Sequence, residues 1–404
     1  MAHESMSLKT PKPEINRRIS AIRKAMQVEG IGALLIVQRT DLFYFSGTAQ
    51  NGLLFLPLDG DPLLFIKKYL PRAQAETPLE KVIGVQSIKE IPDSIRELHG
   101  PLPDVVGLEL DVMPVNDFNF YRHLFAAHLY VDASTAILRV RMLKSDWEIT
   151  QMEQAAESSK QTFEYMRRTL CPGLSEMEFA GLFETFARTR GHGGHLKVRN
   201  YQALGYPWHV LSGSSGGMVG LLDSPASGQG TSAAFPCGAG PKKLVTGEPI
   251  MVDMGFVYNG YHMDETRMFA IDSMPDKALR ACEAAITIHN AVIPQCRPGT
   301  SAETLFKFAE EMAVELGYAD QFLGPPGHKV RFIGHGIGLE LIEPPFIAQG
   351  KPDILQPGMT LALEPKMVFE GEFAAGVESV IHITSNGAQL LSKIPVETFV
   401  ADFA

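Results

Sequence analysis

The sequence predicts an α/β amino-terminal domain followed by a larger α+β domain. Three observations support this fold class: a length of 404 residues, an alternation of helical and strand patterns up to about residue 140, and a different order of elements beyond it. A chain of this length is too long for one ordinary core, so we expect two domains. The predicted boundaries are a disordered tail at 1–10, a first domain at 11–140 and a second domain at 146–404.

The composition is typical of a globular protein and argues against several functions. Apolar residues make up 45% of the chain, and the formal net charge of −10 argues against binding to nucleic acid or anionic membranes. No apolar run approaches the roughly 18 residues that span a bilayer. The polar start lacks the apolar core of a signal peptide. The four cysteines form no Cys-x-x-Cys pair, which indicates reduced thiols and a cytoplasmic protein.

The first domain begins with a predicted amphipathic helix, because apolar residues recur at helical spacing: Ile15, Ile19, Ile22 and Met26. "GALLIV" is then a short buried strand. "GLLFLPLDGDPLLFI" predicts two strands joined at Asp59-Gly60, a hairpin signal. "VVGLEL" and "HLYVDA" are further strands, with a helical stretch near 118–125 between them. This alternation predicts a small α/β domain.

Capping residues predict the helix boundaries of the second domain. They are Ser145 with Glu148 at the start of one helix, Gly173 at its end, Ser175 at the start of the next, and Thr300 with Glu303 at the start of another. A further helix is predicted near 276–291. The stretch from about 190 to 250 is rich in Gly, Ser and Pro, and "TLALEPKMVFEGEFAAGVESVIHIT" predicts antiparallel strands. Helices and strands in this order indicate an α+β domain.

The stretch "VDMGFVYNGYHMDETR" predicts a hairpin, because Asn259-Gly260 favours a two-residue type I′ turn. The register that follows pairs Tyr258 with Tyr261, Gly255 with Asp264, and Asp253 with Thr266. Opposite residues share a face, as do residues two apart along a strand. Asp253 and Asp264 are therefore diagonal neighbours on one face, with backbones roughly 7–8 Å apart.

Two converging carboxylates repel each other unless a positive charge lies between them. Arg267 falls on the opposite face in this register, so a metal cation is the simple resolution. The alternative is a hairpin whose acids face water. The apolar flanks "PIMVDMGFVY" and "TRMFAI" favour a central strand pair.

Three further candidate ligands follow. His335 lies between glycines in "RFIGHGIGLELIEPP", Glu364 ends the strand "TLALE", and Glu378 lies in the apolar segment "AAGVESVIHI". Each alone is equally compatible with a structural role. Four carboxylates and one imidazole together suit a pair of divalent ions such as Mn, Co, Fe or Zn.

These five residues, in order and context, resemble the ligand motifs of the pita-bread metallopeptidases (peptidase family M24), which include Xaa-Pro aminopeptidase, prolidase and methionine aminopeptidase. The segment "LLIVQRTDLFYFSG" resembles the amino-terminal domain of the creatinase/prolidase branch, and the resemblance covers about residues 11–404. It implies a pita-bread catalytic domain, two divalent metal ions and a homodimer. It also implies these roles: Asp264 and Glu378 bridge the metals, Asp253 completes one, His335 and Glu364 complete the other, and Glu364 moves a proton to and from the nucleophile.

The sequence departs from this family at three positions. Proline-specific members usually carry histidines where this chain has Ile342 and Pro236, and an arginine is common where it has Gly376. We predict that other histidines substitute for the missing ones. The candidates are His262 as a catalytic residue, two residues from Asp264 on the same face, and His195, His209 and His328 as substrate-binding residues.

The predicted function is hydrolysis of short Xaa-Pro-type peptides by a two-metal dipeptidase or aminopeptidase. Because the usual histidines are missing, a non-peptidase metal-dependent hydrolase or lyase on the same fold is the alternative. A binding module without activity is a third hypothesis, although such modules typically lose the metal-ligating residues. "GSSGG" formally matches a serine-nucleophile motif at Ser215, but the poor helix after it favours a loop.

Overall fold

The computed structural model describes residues 8–126, 129–199, 208–220 and 224–401, so the first seven residues of the predicted tail lie outside it. The chain divides into two compact units, Met1–Arg141 and Met142–Ala404. None of the helices in these described ranges combines the length and apolar character that a membrane span requires.

The elements of the first part of the chain are α1 (Lys12–Glu29), β1 (Ala33–Ile36), α2 (Arg39–Ser46), β2 (Gly52–Pro57), β3 (Leu63–Ile66), α3 (Leu70–Glu76), β4 (Val82–Gly84), α4 (Ile91–Leu98), β5 (Val105–Leu108), α5 (Val115–Phe125), β6 (Leu129–Asp132) and α6 (Ser134–Met142). The strands form one mixed sheet in the order β4-β3-β2-β1-β5-β6. The four apolar residues that predicted α1 are all buried. The predicted hairpin is present, since β2 and β3 are antiparallel and Gly60 has a φ of 95°.

The elements of the second unit are α7 (Asp146–Thr169), α8 (Glu176–Thr189), β7 (His209–Ser212), β8 (Ile250–Tyr258), β9 (Tyr261–Ile271), α9 (Asp276–Val292), α10 (Ala302–Glu315), β10 (Phe332–Gly336), β11 (Glu343–Ala348), β12 (Thr360–Leu363), β13 (Lys366–Phe369), β14 (Phe373–Gly376), β15 (Ser379–Thr384), β16 (Gly387–Leu390) and β17 (Phe399–Ala401). They form three sheets, in the orders β17-β9-β8-β7, β11-β10-β12-β15-β16 and β13-β14. Helix α7 packs against β8 and β9, and α10 packs against β10 and β11. A core that includes Met251, Ile288, Phe306, Leu361 and Ile381 joins these layers.

Two predicted helix starts are confirmed: the capping box at Ser145 and the N-cap at Ser175. The Oγ of Ser145 accepts from the amide of Glu148 at 3.2 Å, and the Glu148 carboxylate accepts from the amide of Ser145 at 3.1 Å. Ser175 and Glu178 form the same reciprocal pair. Each box satisfies amide groups that a helix start leaves without a partner.

Two other boundaries differ from the prediction. Helix α7 ends at Thr169 rather than at Gly173, because Leu170 is already extended and Pro172 cannot continue a helix. Helix α10 is capped by Ser301 rather than Thr300. The Ser301 Oγ accepts from the amide of Thr304 at 3.1 Å, whereas the Thr300 hydroxyl donates to a preceding carbonyl.

The hairpin of β8 and β9 has the predicted register. Tyr258 pairs with Tyr261, Gly255 with Asp264, and Asp253 with Thr266. Asn259 and Gly260 have φ values of 48° and 87°, as a type I′ turn requires. β8 and β9 are the two inner strands of their four-stranded sheet. The prediction of a central strand pair is confirmed, and the two aspartates do not belong to a solvated edge.

Candidate metal centre

A narrow cavity of about 70 Å³ brings all five predicted ligands together: Asp253, Asp264, His335, Glu364 and Glu378. Its remaining walls are largely apolar and include Leu196, Trp208, Phe332, Leu341 and Ile342. The cavity therefore combines a dense group of acids with apolar walls.

Four sheet positions bring these ligands together. Asp253 and Asp264 come from the β8–β9 hairpin, and His335 lies in β10. Glu364 directly follows β12 and Glu378 directly precedes β15, and the pairing of Leu363 with Ser379 makes these two acids neighbours. The Glu378 amide donates to the carbonyl of Thr266 at 3.1 Å, which ties this acid to β9.

Asp264, His335 and Glu378 form a compact group whose ligand atoms all lie within 4.8 Å of one another. All three side chains are buried. The Nδ1 of His335 bonds to the carbonyl of Gly336 at 3.0 Å, so Nε2 is the nitrogen left for a ligand. Two carboxylates and one imidazole are donors that a borderline divalent ion accepts, so this group fits one metal ion.

Lys366 is a residue of this cluster that the sequence analysis missed. Its Nζ donates to Asp253 Oδ2 at 3.0 Å, to Glu364 Oε2 at 2.7 Å and to Glu378 Oε2 at 3.3 Å. The side chain is only 2% exposed. The signal for it was present, because Lys366 lies two residues after Glu364 and an extended chain puts such residues on one face. Asp253 is a predicted ligand of one metal and Glu364 of the other, and an ion that used these same oxygens does not fit beside the ammonium.

The charges of the cluster shift its acids in opposite directions. Burial by itself would raise the pKa of Asp253, but the Lys366 ammonium and the neighbouring His209 outweigh it and hold that pKa well below its usual range. Burial, together with the charges of the other carboxylates, raises the pKa of Asp264 well above its ordinary value. Burial also raises the pKa of Glu378 to about 8. One ammonium therefore does not neutralise the acids around it, and Asp264 and Glu378 lie where a further cation would be stabilised.

His262 does not take the position predicted for it. Its Nε2 accepts from the amide of Lys197 at 3.0 Å, and its Nδ1 bonds to the carbonyl of Gly338 at 2.9 Å. Both ring nitrogens therefore have backbone partners, and burial lowers the pKa of the ring to about 3. His262 is absent from the described residues that line the cavity. The geometry therefore favours a structural role for His262, as a neutral imidazole that joins two backbone segments. It does not favour the predicted catalytic role.

The three predicted substrate-binding histidines lie in different places. His209 is buried, lines the cavity and pairs with Asp253 across β7 and β8, with Nδ1 3.7 Å from Asp253 Oδ2. Its Nε2 has no hydrogen-bond partner among the described residues. His195 is exposed and lies at a separate depression beside Trp208, and His328 is exposed in the loop before β10. Neither is among the described residues that line the cavity, so of the three the structure brings only His209 to it.

Ser215, the candidate nucleophile of the "GSSGG" motif, has a structural role. It ends a short 3₁₀ turn, Gly213–Ser215, and its hydroxyl donates to the buried carboxylate of Glu176 at 3.1 Å. No helix follows the turn over residues 216–220, so Ser215 lacks the strand–turn–helix setting of a nucleophile elbow. The structure therefore favours the loop interpretation.

Comparison with known proteins identifies the family of this chain. A sequence profile of metallopeptidase family M24 matches residues 150–385, and a profile of the creatinase/prolidase N-terminal domain matches residues 18–143. An Xaa-Pro dipeptidase from Pyrococcus furiosus is 24% identical over 386 residues, which cover 94% of this chain and 98% of that protein. A probable dipeptidase, PepE, from Mycobacterium bovis is 26% identical over 396 residues, covering 95% and 96% of the two chains.

Solved structures show the same fold. The Xaa-Pro dipeptidase from Bacillus anthracis has a TM-score of 0.81 at 23% identity, covering 96% of this chain and 99% of its own. The prolidase from Pyrococcus horikoshii has a TM-score of 0.79 at 21% identity, covering 94% and 99%. The predicted α/β amino-terminal domain and α+β pita-bread catalytic domain are thereby confirmed as the fold class. The chain belongs to metallopeptidase family M24 and carries the amino-terminal domain of the creatinase/prolidase branch.

Proposed function

We propose that this protein is a metal-dependent hydrolase of short Xaa-Pro-type peptides, acting as a dipeptidase or an aminopeptidase. The observation that carries the proposal is the convergence of Asp264, His335 and Glu378 in one narrow, apolar-walled cavity. The Xaa-Pro dipeptidases among the relatives state their substrate in their names, which supports this substrate class. These names also favour peptide hydrolysis over the alternative of a non-peptidase hydrolase or lyase.

Asp264, His335 and Glu378 would hold the metal ion. A bound divalent ion supplies a Lewis acid and makes a hydroxide nucleophile available near neutral pH. In the family pattern Asp253 would complete the site of one ion and Glu364 the site of the other, and this two-metal site with Mn, Co, Fe or Zn remains a prediction. The cytoplasmic location and the homodimer also remain predictions from the sequence.

Glu364 is the residue best placed to accept and return a proton. Its Oε2 is fixed by the Lys366 ammonium at 2.7 Å, while its Oε1 lies 3.6 Å from His335 Nε2, on the side of the metal group. A carboxylate held in this way has one oxygen free for proton transfer beside the reacting centre. We therefore assign general acid–base catalysis to Glu364.

His209 and the apolar walls would bind the peptide. The Nε2 of His209 is buried without a partner among the described residues, so a polar group of a bound peptide can satisfy it. Trp208, Phe332 and Ile342 offer apolar surface of the kind that accommodates a prolyl ring. Ile342 stands where a histidine is common in the family, so we assign the polar substrate contact to His209.

Metal depletion and reconstitution test the proposal. Chelation should abolish cleavage of a panel of Xaa-Pro dipeptides and longer Xaa-Pro peptides, and adding back one of the four divalent ions should restore it. Glu364→Gln should lower kcat by at least about 100-fold, because general acid–base catalysis contributes 10²–10⁴-fold. Glu372→Gln, at an exposed acid in the turn between β13 and β14, is the control and should keep wild-type kcat.

Two results would contradict the proposal in different ways. Cleavage that survives complete removal of metal would refute metal dependence. Bound metal with no cleavage of any peptide in the panel would refute the peptidase assignment and favour the hydrolase or lyase alternative.

A further inference from the structure

We propose that the ammonium group of Lys366 takes the place of one of the two family metals, so that the native enzyme holds a single divalent ion. This inference rests on the proposed function, because it assumes that Asp264, His335 and Glu378 bind metal. It changes the nature of the site from a metal pair to one metal beside a fixed organic cation.

The position of the ammonium is the first argument. Lys366 Nζ donates to one carboxylate oxygen each of Asp253, Glu364 and Glu378, at 2.7–3.3 Å. Asp253 is a ligand of one family metal, Glu364 of the other, and Glu378 bridges the pair. A divalent ion bound by the same oxygens would stand at about 2.0–2.2 Å from each of them. The ammonium and such an ion exclude each other sterically and by charge repulsion.

Gly376 supplies an independent argument. It pairs directly with Lys366 across β13 and β14. A Cβ atom on Gly376 would lie 2.5 Å from Lys366 Cγ and 3.2 Å from Lys366 Cβ, closer than side chains approach. The absence of a side chain on one strand is thus what makes room for the lysine on the other. Gly376 also stands where the family commonly has an arginine, so the cation at this pair of positions is carried by β13 instead of β14.

The remaining donors match one ion. Asp264 and His335 are not among the described hydrogen-bond partners of Lys366, and with the second oxygen of Glu378 they keep three donors for a metal. The ammonium and one divalent ion together offset three of the four carboxylate charges. A pair of divalent ions added to the ammonium would exceed the charge of the acids in a buried site, which is unfavourable.

Metal content measured on the full-length protein tests the inference. Wild-type protein, loaded with Mn²⁺ and dialysed, should retain about one metal ion per chain by elemental analysis. Lys366→Ala, which removes the ammonium and leaves space, should retain about two. Lys144→Ala is the matched control: Lys144 is equally buried and bonds to Glu343 at 2.7 Å outside the cavity, and its variant should retain about one.

Each outcome bears on a different assignment. About two ions in the wild type, or no gain in Lys366→Ala, would overturn the inference and leave the proposed function standing. No metal in any of the proteins would overturn the proposed function and the inference with it. Electron paramagnetic resonance of the Mn²⁺-loaded wild type tests the inference without a variant: a mononuclear spectrum is expected, and an exchange-coupled pair would refute it.

Discussion

Gly376→Ala is the change that most directly tests whether Lys366 is seated as described. The added methyl group would lie 2.5 Å from Lys366 Cγ, 3.2 Å from its Cβ and 3.3 Å from its Cα. Gly376 does not have a positive φ, so alanine introduces no backbone strain of its own. The expected effect therefore comes from the contact with the lysine stem.

The expected size follows from two opposing contributions. Overpacking a buried position destabilises by about 1–3 kcal/mol. Replacing glycine by alanine in a permitted conformation stabilises by about 0.4–1 kcal/mol, because the unfolded chain loses freedom. We expect a net loss of about 1–2 kcal/mol for Gly376→Ala in the wild type. In Lys366→Ala the closest atom is gone, so the same change should be nearly neutral, giving a coupling energy of about 1–2 kcal/mol.

Urea unfolding in the presence of chelator measures this coupling in four proteins: the wild type, Gly376→Ala, Lys366→Ala and the double variant. The chain has two tryptophans, Trp147 and Trp208, and both belong to the unit Met142–Ala404, so their fluorescence follows the unfolding of that unit. Gly181→Ala is the control, because its Cβ would meet nothing within 4 Å in α8. It should stabilise by about 0.5–1 kcal/mol in both backgrounds. An equal loss for Gly376→Ala in both backgrounds would refute the proposed packing of Lys366.

Three further predictions concern residues outside the metal group. Burial lowers the pKa of His289 in the folded protein to about 4, so the ring is largely neutral at pH 7 in both the folded and the unfolded state. As the pH falls, the unfolded state, with a pKa of about 6.5, takes up the proton first, and the folded protein loses stability. His289→Leu should therefore lose about 2 kcal/mol less stability than the wild type between pH 7 and 5, whereas the exposed-site variant His328→Gln should behave as wild type; equal losses for His289→Leu and the wild type would contradict this. Glu176→Ala should lower the free energy of unfolding by at least about 3 kcal/mol, since the buried carboxylate accepts from two amides and two hydroxyls, and a loss below about 1 kcal/mol would refute its structural role. His262→Ala should destabilise by about 2 kcal/mol with metal content unchanged, because both ring nitrogens bond to backbone; lost metal with wild-type stability would restore its place at the site.

The hairpin could be predicted from sequence because its determinants are local. Asn259-Gly260 fixes the turn type, the turn fixes the register, and the register puts Asp253 and Asp264 on one face. The later ligands could be added because His335 and Glu364 lie in short segments that match a known pattern. Local chemistry and motif therefore sufficed for the positions of the acids in the sheets.

The direction of a side chain with non-local partners could not be predicted in the same way. The register put His262 on the face of the aspartates, but its ring is held by the amide of Lys197 and the carbonyl of Gly338. These groups lie in segments 65 and 76 residues away along the chain. A hairpin register determines the face of the sheet on which a side chain lies, and tertiary contacts determine the hydrogen-bond partners of its polar atoms.

Lys366 illustrates how departures from a family pattern should be interpreted. Taken position by position, Gly376 is the loss of a common arginine, and a lost cation beside four acids would leave their repulsion uncompensated. The pairing of β13 with β14 puts a cation on the facing strand, since Lys366 occupies the space that Gly376 leaves open. Lys366 and Gly376 should therefore be interpreted together, and their combined effect differs from that of moving a cation from one strand to the other. An ammonium bonded to Asp253, Glu364 and Glu378 competes with a metal for the same oxygens, so this departure bears on metal number before it bears on substrate.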